Sequence, residues 1–131
     1  MSATDDWARA PVARLATVRP DGSPHVVPIT FAVQDGDIVT AIDHKPKRHE
    51  RLQRILNIEA NPTVSVLVDH WDDDWDRLWW VRLDGHAEIR TIDPNAIAAL
   101  AAKYQVYANR PPRGPVIRIR PERTARWDAS D

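Results

Sequence analysis

Apolar and polar positions alternate through most of the first forty residues. Ala13–Val18 reads as a strand, and Pro20-Asp21-Gly22-Ser23 follows it as a turn. His25–Val33 alternates again, with Val27, Ile29, Phe31 and Val33 on one face and Val26, Pro28, Thr30 and Ala32 on the other. Proline cannot donate to a strand ladder, so Pro28 belongs at an edge, at a bulge or beside a ligand. Asp35-Gly36 is a two-residue hairpin signal leading into Asp37–Asp43. These segments predict a meander of three antiparallel strands.

The period then changes. From Arg48 to Ile58 the apolar positions Leu52, Ile55 and Leu56 fall at helical spacing, and Asn61-Pro62 stops the helix. Thr63–Asp69 returns to alternation, and a polar, aspartate-rich loop separates it from a long strand at Leu78–Ile89 that Gly85 kinks or bulges. Asp93-Pro94 is an N-cap followed by proline at the first helical position, opening an alanine-rich helix over Ala96–Tyr104. After the turn segment Pro111–Pro115, Val116–Arg120 and Thr124–Trp127 read as closing strands. At least five strands with two helices inserted predict a mainly β, α+β chain built on a small antiparallel barrel.

A chain of 131 residues suits a single domain, 1–131, with one core. It has no cysteine, which excludes disulfides, thiolate metal sites and cysteine nucleophiles together. No run of about 18 apolar residues occurs, and the N-terminus is acidic without an apolar signal core, so the expectation is a cytoplasmic protein that does not span a membrane. The net charge of −1 conceals segregation. Lys45, Lys47, Arg48, Arg51 and Arg54 form one basic block, and Arg110, Arg113, Arg118, Arg120, Arg123 and Arg126 form another. Asp69, Asp72, Asp73, Asp74 and Asp76 form an acidic one. Local basic blocks on a near-neutral chain suit a small anionic ligand better than a nucleic-acid backbone. Six tryptophans beside one phenylalanine and two tyrosines supply rings of the kind that line pockets and interfaces.

Three segments are candidates for chemistry. At Asp43-His44-Lys45-Pro46-Lys47-Arg48 a strand gives way to a helix, where unpaired N–H groups and the helix dipole favour an anion; the lysines add point charges and Arg48 can grip two phosphate oxygens. A solvated basic turn is the plainer reading of the same residues. In His70–Trp80, neighbouring Trp79 and Trp80 on a strand point to opposite faces, so one packs inside while the other meets a planar ligand or a second subunit. The aspartates there lack the glycine and closing glutamate of a calcium loop and read as a solvated acidic loop. Pro28 is the third. The histidines show no metal-ligand spacing, and the serines have no nucleophile-elbow context, so neither a metal site nor serine hydrolysis is expected.

Ala13-Arg14-Leu15-Ala16-Thr17-Val18, the glycine turn and Pro24-His25-Val26-Val27-Pro28-Ile29-Thr30-Phe31 resemble the opening of the flavin-binding split-barrel proteins related to pyridoxamine 5′-phosphate oxidase. Asp43–Arg48, Asn57–Pro62 and Asp74–Gly85 are similar to an actinobacterial branch of deazaflavin (coenzyme F-420) dependent oxidoreductases. The resemblance runs from Ala13 to Trp127. It implies a split antiparallel β-barrel of the FMN-binding kind with two or three short helices, acting as a homodimer with cofactor clefts at the subunit interface. It also implies that Val27, Pro28, Ile29 and Thr30 border the flavin ring and that Asp43, His44, Lys45, Lys47 and Arg48 hold the phosphate end. Trp80 stands where the flavin oxidases place a polar contact to the ring, and Arg126 and Trp127 would reach a cleft across the dimer. Oxidases of pyridoxamine phosphate carry a cation near the position of Val27; none is present here, which ranks coenzyme F-420 ahead of FMN. The expected activity is hydride transfer from the reduced deazaflavin to a small organic acceptor, with His44 as a candidate proton donor. The alternatives are an FMN-dependent oxidoreductase of the same fold, or a protein that binds flavin, haem or a bile pigment without turnover.

Overall fold

The computed structural model describes residues 3–42 and 50–130. A 3-10 helix at Ala3–Arg9 precedes β1 (Ala13–Val18), β2 (Pro24–Ile29), β3 (Ala32–Gln34), β4 (Asp37–Ala41), α1 (Glu50–Ala60) and β5 (Thr63–His70). A short 3-10 turn at Trp75–Arg77 leads to β6 (Trp79–Arg90), α2 (Pro94–Lys103), α3 (Gln105–Asn109) and β7 (Val116–Asp128). The seven strands form one antiparallel sheet in the order β2-β1-β5-β6-β7-β4-β3. β2 and β3 are its two edges, yet only Thr30 and Phe31 join them. So short a link spans roughly 10 Å at most, so the sheet must curl until its edges nearly meet. The result is the split barrel.

Local chemistry explains the elements. The β3–β4 turn places Asp35 at φ 54° and Gly36 at φ 80°, the left-handed pair that a type I′ hairpin needs. Asp93 caps α2 by accepting the Ala96 N–H at 3.1 Å, and Pro94 follows it. β6 and β7 pair along their length with a bulge: Asp84 faces Arg123 and Gly85 faces Pro121, leaving Glu122 as the extra residue. Gly85 is required there because a Cβ would collide with the Arg120 carbonyl.

Two expectations are corrected. The closing strands are one long strand, because the bulge absorbs Pro121 and Glu122 without ending the ladder. His25–Val33 is not continuous: it breaks at Thr30–Phe31, which flips the alternation so that Ala32 is buried and Val33 exposed. The cause is distant in sequence. The Tyr104 hydroxyl accepts the Phe31 N–H at 3.1 Å, and Lys103 Nζ donates to the Phe31 carbonyl at 2.8 Å. Those bonds replace a ladder, and they satisfy backbone groups that burial would otherwise orphan.

The barrel interior packs Leu15, Ile29, Phe31, Ile38, Val66, Val81 and Ile119. A second cluster, Ala32, Val39, Ala41 and Val116 against Ala96 and Leu100, seats α2 on the other face of β3, β4 and β7. α1 docks through buried Asn57, which donates to Thr17 Oγ1 at 2.9 Å and accepts from Gln53. Arg118 ties β7 to the hairpin and to the start of α2: it meets Asp93 at 2.8 Å and Asp37 at 3.0 Å, with Gln34 completing the set.

Candidate functional site

Three of the expected site residues meet in a small polar hollow of about 160 Å³, where Pro28, Ile29 and Thr30 at the end of β2 face Thr40, Ala41 and Ile42 at the end of β4. Arg54, one turn into α1, and Tyr107 on α3 complete the lining. The Thr30 and Tyr107 hydroxyls are 2.8 Å apart. α3 holds this position because Tyr104 and Tyr107, three residues apart, pack edge to face at 5.5 Å while Tyr104 is bonded to Phe31. Ile42 is the last described residue before Glu50. Asp43, His44, Lys45, Lys47 and Arg48 lie outside the described residues.

Val27 is placed differently. It packs against the barrel interior opposite Leu15, away from the polar hollow that Pro28, Ile29 and Thr30 line. The backbone on either side of it still belongs to the edge strand.

Trp80 belongs to a second hollow, about 460 Å³, on the outward face of the sheet. Its floor is Ala16, Val26, Leu67 and Trp80, and its rim is Arg14, Asp69, Arg82 and Ser65. The strand register makes this a continuous surface. Pro28, Arg14, Leu67, Arg82 and Ala125 form one row across five strands, and Asp69, Trp80 and Trp127 lie in a row beside it. Large apolar groups stand exposed on it: Val26 at 60%, Trp127 at 45% and Leu67 at 36%. Val26 and Pro28 share the outward face of β2, so the two hollows are neighbours along that strand. Trp79 points the other way and is buried, stacked beneath His70.

The polar groups of this face are mutually fixed. Asp84 accepts from Ser65 at 2.7 Å and from Arg82 at 3.1 Å, with Arg123 at 3.5 Å. The Ser65 hydrogen bond, then the two arginines, hold its carboxyl below the usual carboxylate range. Arg14 pairs with Asp69 at 3.1 Å.

The acidic loop serves its own backbone. Asp72 accepts the Asp74 N–H, and Asp74 accepts the Asp76 N–H as cap of the short 3-10 turn. Thr40, Tyr107 and the outward Arg14 and Leu67 were not singled out from sequence. The run Lys103-Tyr104-Gln105-Val106-Tyr107 reads as the end of a helix, and its tyrosines at helical spacing are the one hint that it faces something. Arg54 stood only as a member of the basic block.

Residues 3–128 match the pyridoxamine 5′-phosphate oxidase family. The chain belongs to that family. Pyridoxamine 5′-phosphate oxidase relatives share a flavin-binding split barrel, and the curled seven-stranded sheet is that fold. No curated protein matches the chain. Among solved structures it is similar to the conserved hypothetical protein Rv2991 from Mycobacterium tuberculosis, with 26% identity, a TM-score of 0.77 and coverage of 98% of this chain and 86% of that one. It is similar to an F420 reductase at 26% identity and a TM-score of 0.70, covering 95% and 98% of the two chains. HutZ, the haem storage protein from Vibrio cholerae, shares the fold at 18% identity and a TM-score of 0.71, covering 95% and 90%. The pyridoxamine 5′-phosphate oxidase family includes oxidoreductases, and its fold takes flavin-type cofactors.

Proposed function

We propose that the chain is a homodimeric oxidoreductase that uses the deazaflavin coenzyme F-420, with FMN as the alternative, to transfer hydride to a small organic acceptor. The observation that carries this reading is the pair of neighbouring hollows, one polar and one flat and apolar, along β2. The outward hollow has the size of a ligand site, and its apolar floor fits a planar ring. The polar hollow offers Arg54, Thr30, Thr40 and Tyr107, and its lining residue Ile42 is followed in sequence by the run holding Lys45, Lys47 and Arg48, a set that fits an anionic tail. When bound, the coenzyme supplies the hydride. This chain's residues orient it, exclude water and balance its charge. Pro28 leaves the β2 edge one N–H short, and the Thr30 hydroxyl lies within hydrogen-bond reach of the Tyr107 hydroxyl. Likeness to an F420 reductase at 26% identity supports the choice of coenzyme. A second copy is the occupant proposed for the outward face, because Val26, Leu67 and Trp127 stand exposed together on it.

Parallel fluorescence titrations with coenzyme F-420, FMN, FAD and haem test the reading. Coenzyme F-420 is expected to bind tightest, and the Lys47→Ala/Arg48→Ala double variant to bind it more than about tenfold more weakly, since two charge-assisted contacts are removed. An unchanged titration in that variant overturns the phosphate assignment. Stoichiometric binding with no turnover of reduced coenzyme overturns the enzymatic reading in favour of a storage protein.

A further inference from the structure

A third hollow, about 470 Å³, opens at the His70 end of β5, between the segment that follows the N-terminal 3-10 helix and the start of β6. Its lining is mixed in a way that the proposed cofactor site does not use. Pro11 and Val12 give an apolar wall, His70 and Trp79 a stacked aromatic one at 5.7 Å, and Arg9 and Arg14 bring two guanidinium groups. Asp69 is the one carboxylate among its lining residues, and it is already engaged by Arg14. Trp71 stands at the edge with 65% of its surface exposed, steadied by an edge-on contact with Trp75 at 6.3 Å and by Asp73, which accepts its indole N–H at 3.3 Å.

We propose that this hollow binds a planar, electron-poor aromatic or conjugated acid, at a site separate from the cofactor site proposed above. An indole has an electron-rich face, which favours electron-poor rings, and the ring of Trp71 is largely unoccupied by protein. The arginines select an anionic substituent. A guanidinium carries five donors in a fixed fork, and Arg14 meets Asp69 through Nη1. The hollow's volume lies in the range of small-molecule sites. Arg14 and Asp69 also line the outward sheet hollow, so this ion pair is the shared wall between the two. That pair separates the hollows, so a molecule bound in one does not touch a molecule bound in the other.

The test uses cofactor-free protein, so that it is independent of the coenzyme titration. Labelled with nitrogen-15, the six tryptophans give six indole N–H signals, assigned through tryptophan variants. Titration with 4-nitrobenzoate is expected to shift the Trp71 and Trp79 signals and leave Trp127 unmoved. Arg9→Gln and Trp71→Ala are each expected to weaken binding about tenfold, and neutral 4-nitrobenzamide to bind wild type about tenfold more weakly than the acid. No shift at millimolar 4-nitrobenzoate, a shift centred on Trp80 and Trp127, or equal affinity for acid and amide overturns the proposal.

Discussion

Arg118→Met is the sharpest test of what holds the barrel's α2 side together. The Arg118 side chain is 7% exposed, and its partners Asp93 and Asp37 are 4% and 13% exposed. Removing the guanidinium leaves Asp93 with only the longer Arg90 pair at 3.5 Å and the Ala96 N–H, Asp37 with only Arg120 at 3.8 Å, and Gln34 without this donor. Breaking a buried pair in this way costs about 3–5 kcal/mol. Unfolding entropy of about 2.1 cal/mol/K per residue gives about 0.28 kcal/mol/K for a chain this long, so melting should fall by about 10–18 °C. The assay is thermal and urea unfolding followed by far-UV circular dichroism. Asp93→Asn is expected to cost less, because asparagine can still accept the Ala96 N–H as helix cap and Asp37 still pairs with Arg118. A drop of under about 1 kcal/mol in Arg118→Met would refute the reasoning, since surface pairs already reach that value.

The same network sets an acid limb. The Arg118 hydrogen bond, reinforced by the Ala96 N–H, holds the Asp93 carboxyl below its ordinary value. Its stabilising contribution is therefore complete above about pH 4, the unfolded value, and is lost as pH falls through the lower folded one; acid titration of Asp93→Asn should show a flatter decline. Burial pushes the Lys103 ammonium down to about 8, so the folded chain binds fewer protons than the unfolded one up to about pH 10.4. Stability should rise across that window, and Lys103→Met should remove the rise in urea midpoints measured at successive pH values. Tyr104→Phe strips the acceptor from the Phe31 N–H and is expected to cost about 1–3 kcal/mol in urea unfolding. Gly85→Ala forces a methyl group against the Arg120 carbonyl and should cost about 1–3 kcal/mol by the same measurement.

The strands were legible where period two ran beside strong turn residues, as at Asp35-Gly36 and after Asn61-Pro62. The opposite facing of Trp79 and Trp80 followed from strand geometry alone and holds in the structure. The break at Thr30–Phe31 was not legible, because the groups that impose it, Lys103 and Tyr104, lie more than seventy residues away. Pro121-Glu122 read as an interruption because a bulge is a property of two strands together, and its partner Gly85 was seen separately. The site shows the same division. Pro28 announces itself within its own strand and Thr30 enters only through the family resemblance, whereas Tyr107 matters only because α2 and α3 fold back onto that edge. Arg14 and Leu67 look like ordinary outward strand residues until register places them in one row.

The staple at Phe31 reaches beyond the barrel seam. Trp7 stacks on its ring at 6.2 Å, Lys103 Nζ stands 3.6 Å from the ring centroid, and the Tyr104 hydroxyl also reaches the Pro11 carbonyl at 2.9 Å. The N-terminal segment, the sheet edges and α2 are thus bolted to one residue. Lifting α2 would loosen the N-terminal segment in the same event, so amide protons at these three widely separated points should exchange with solvent together.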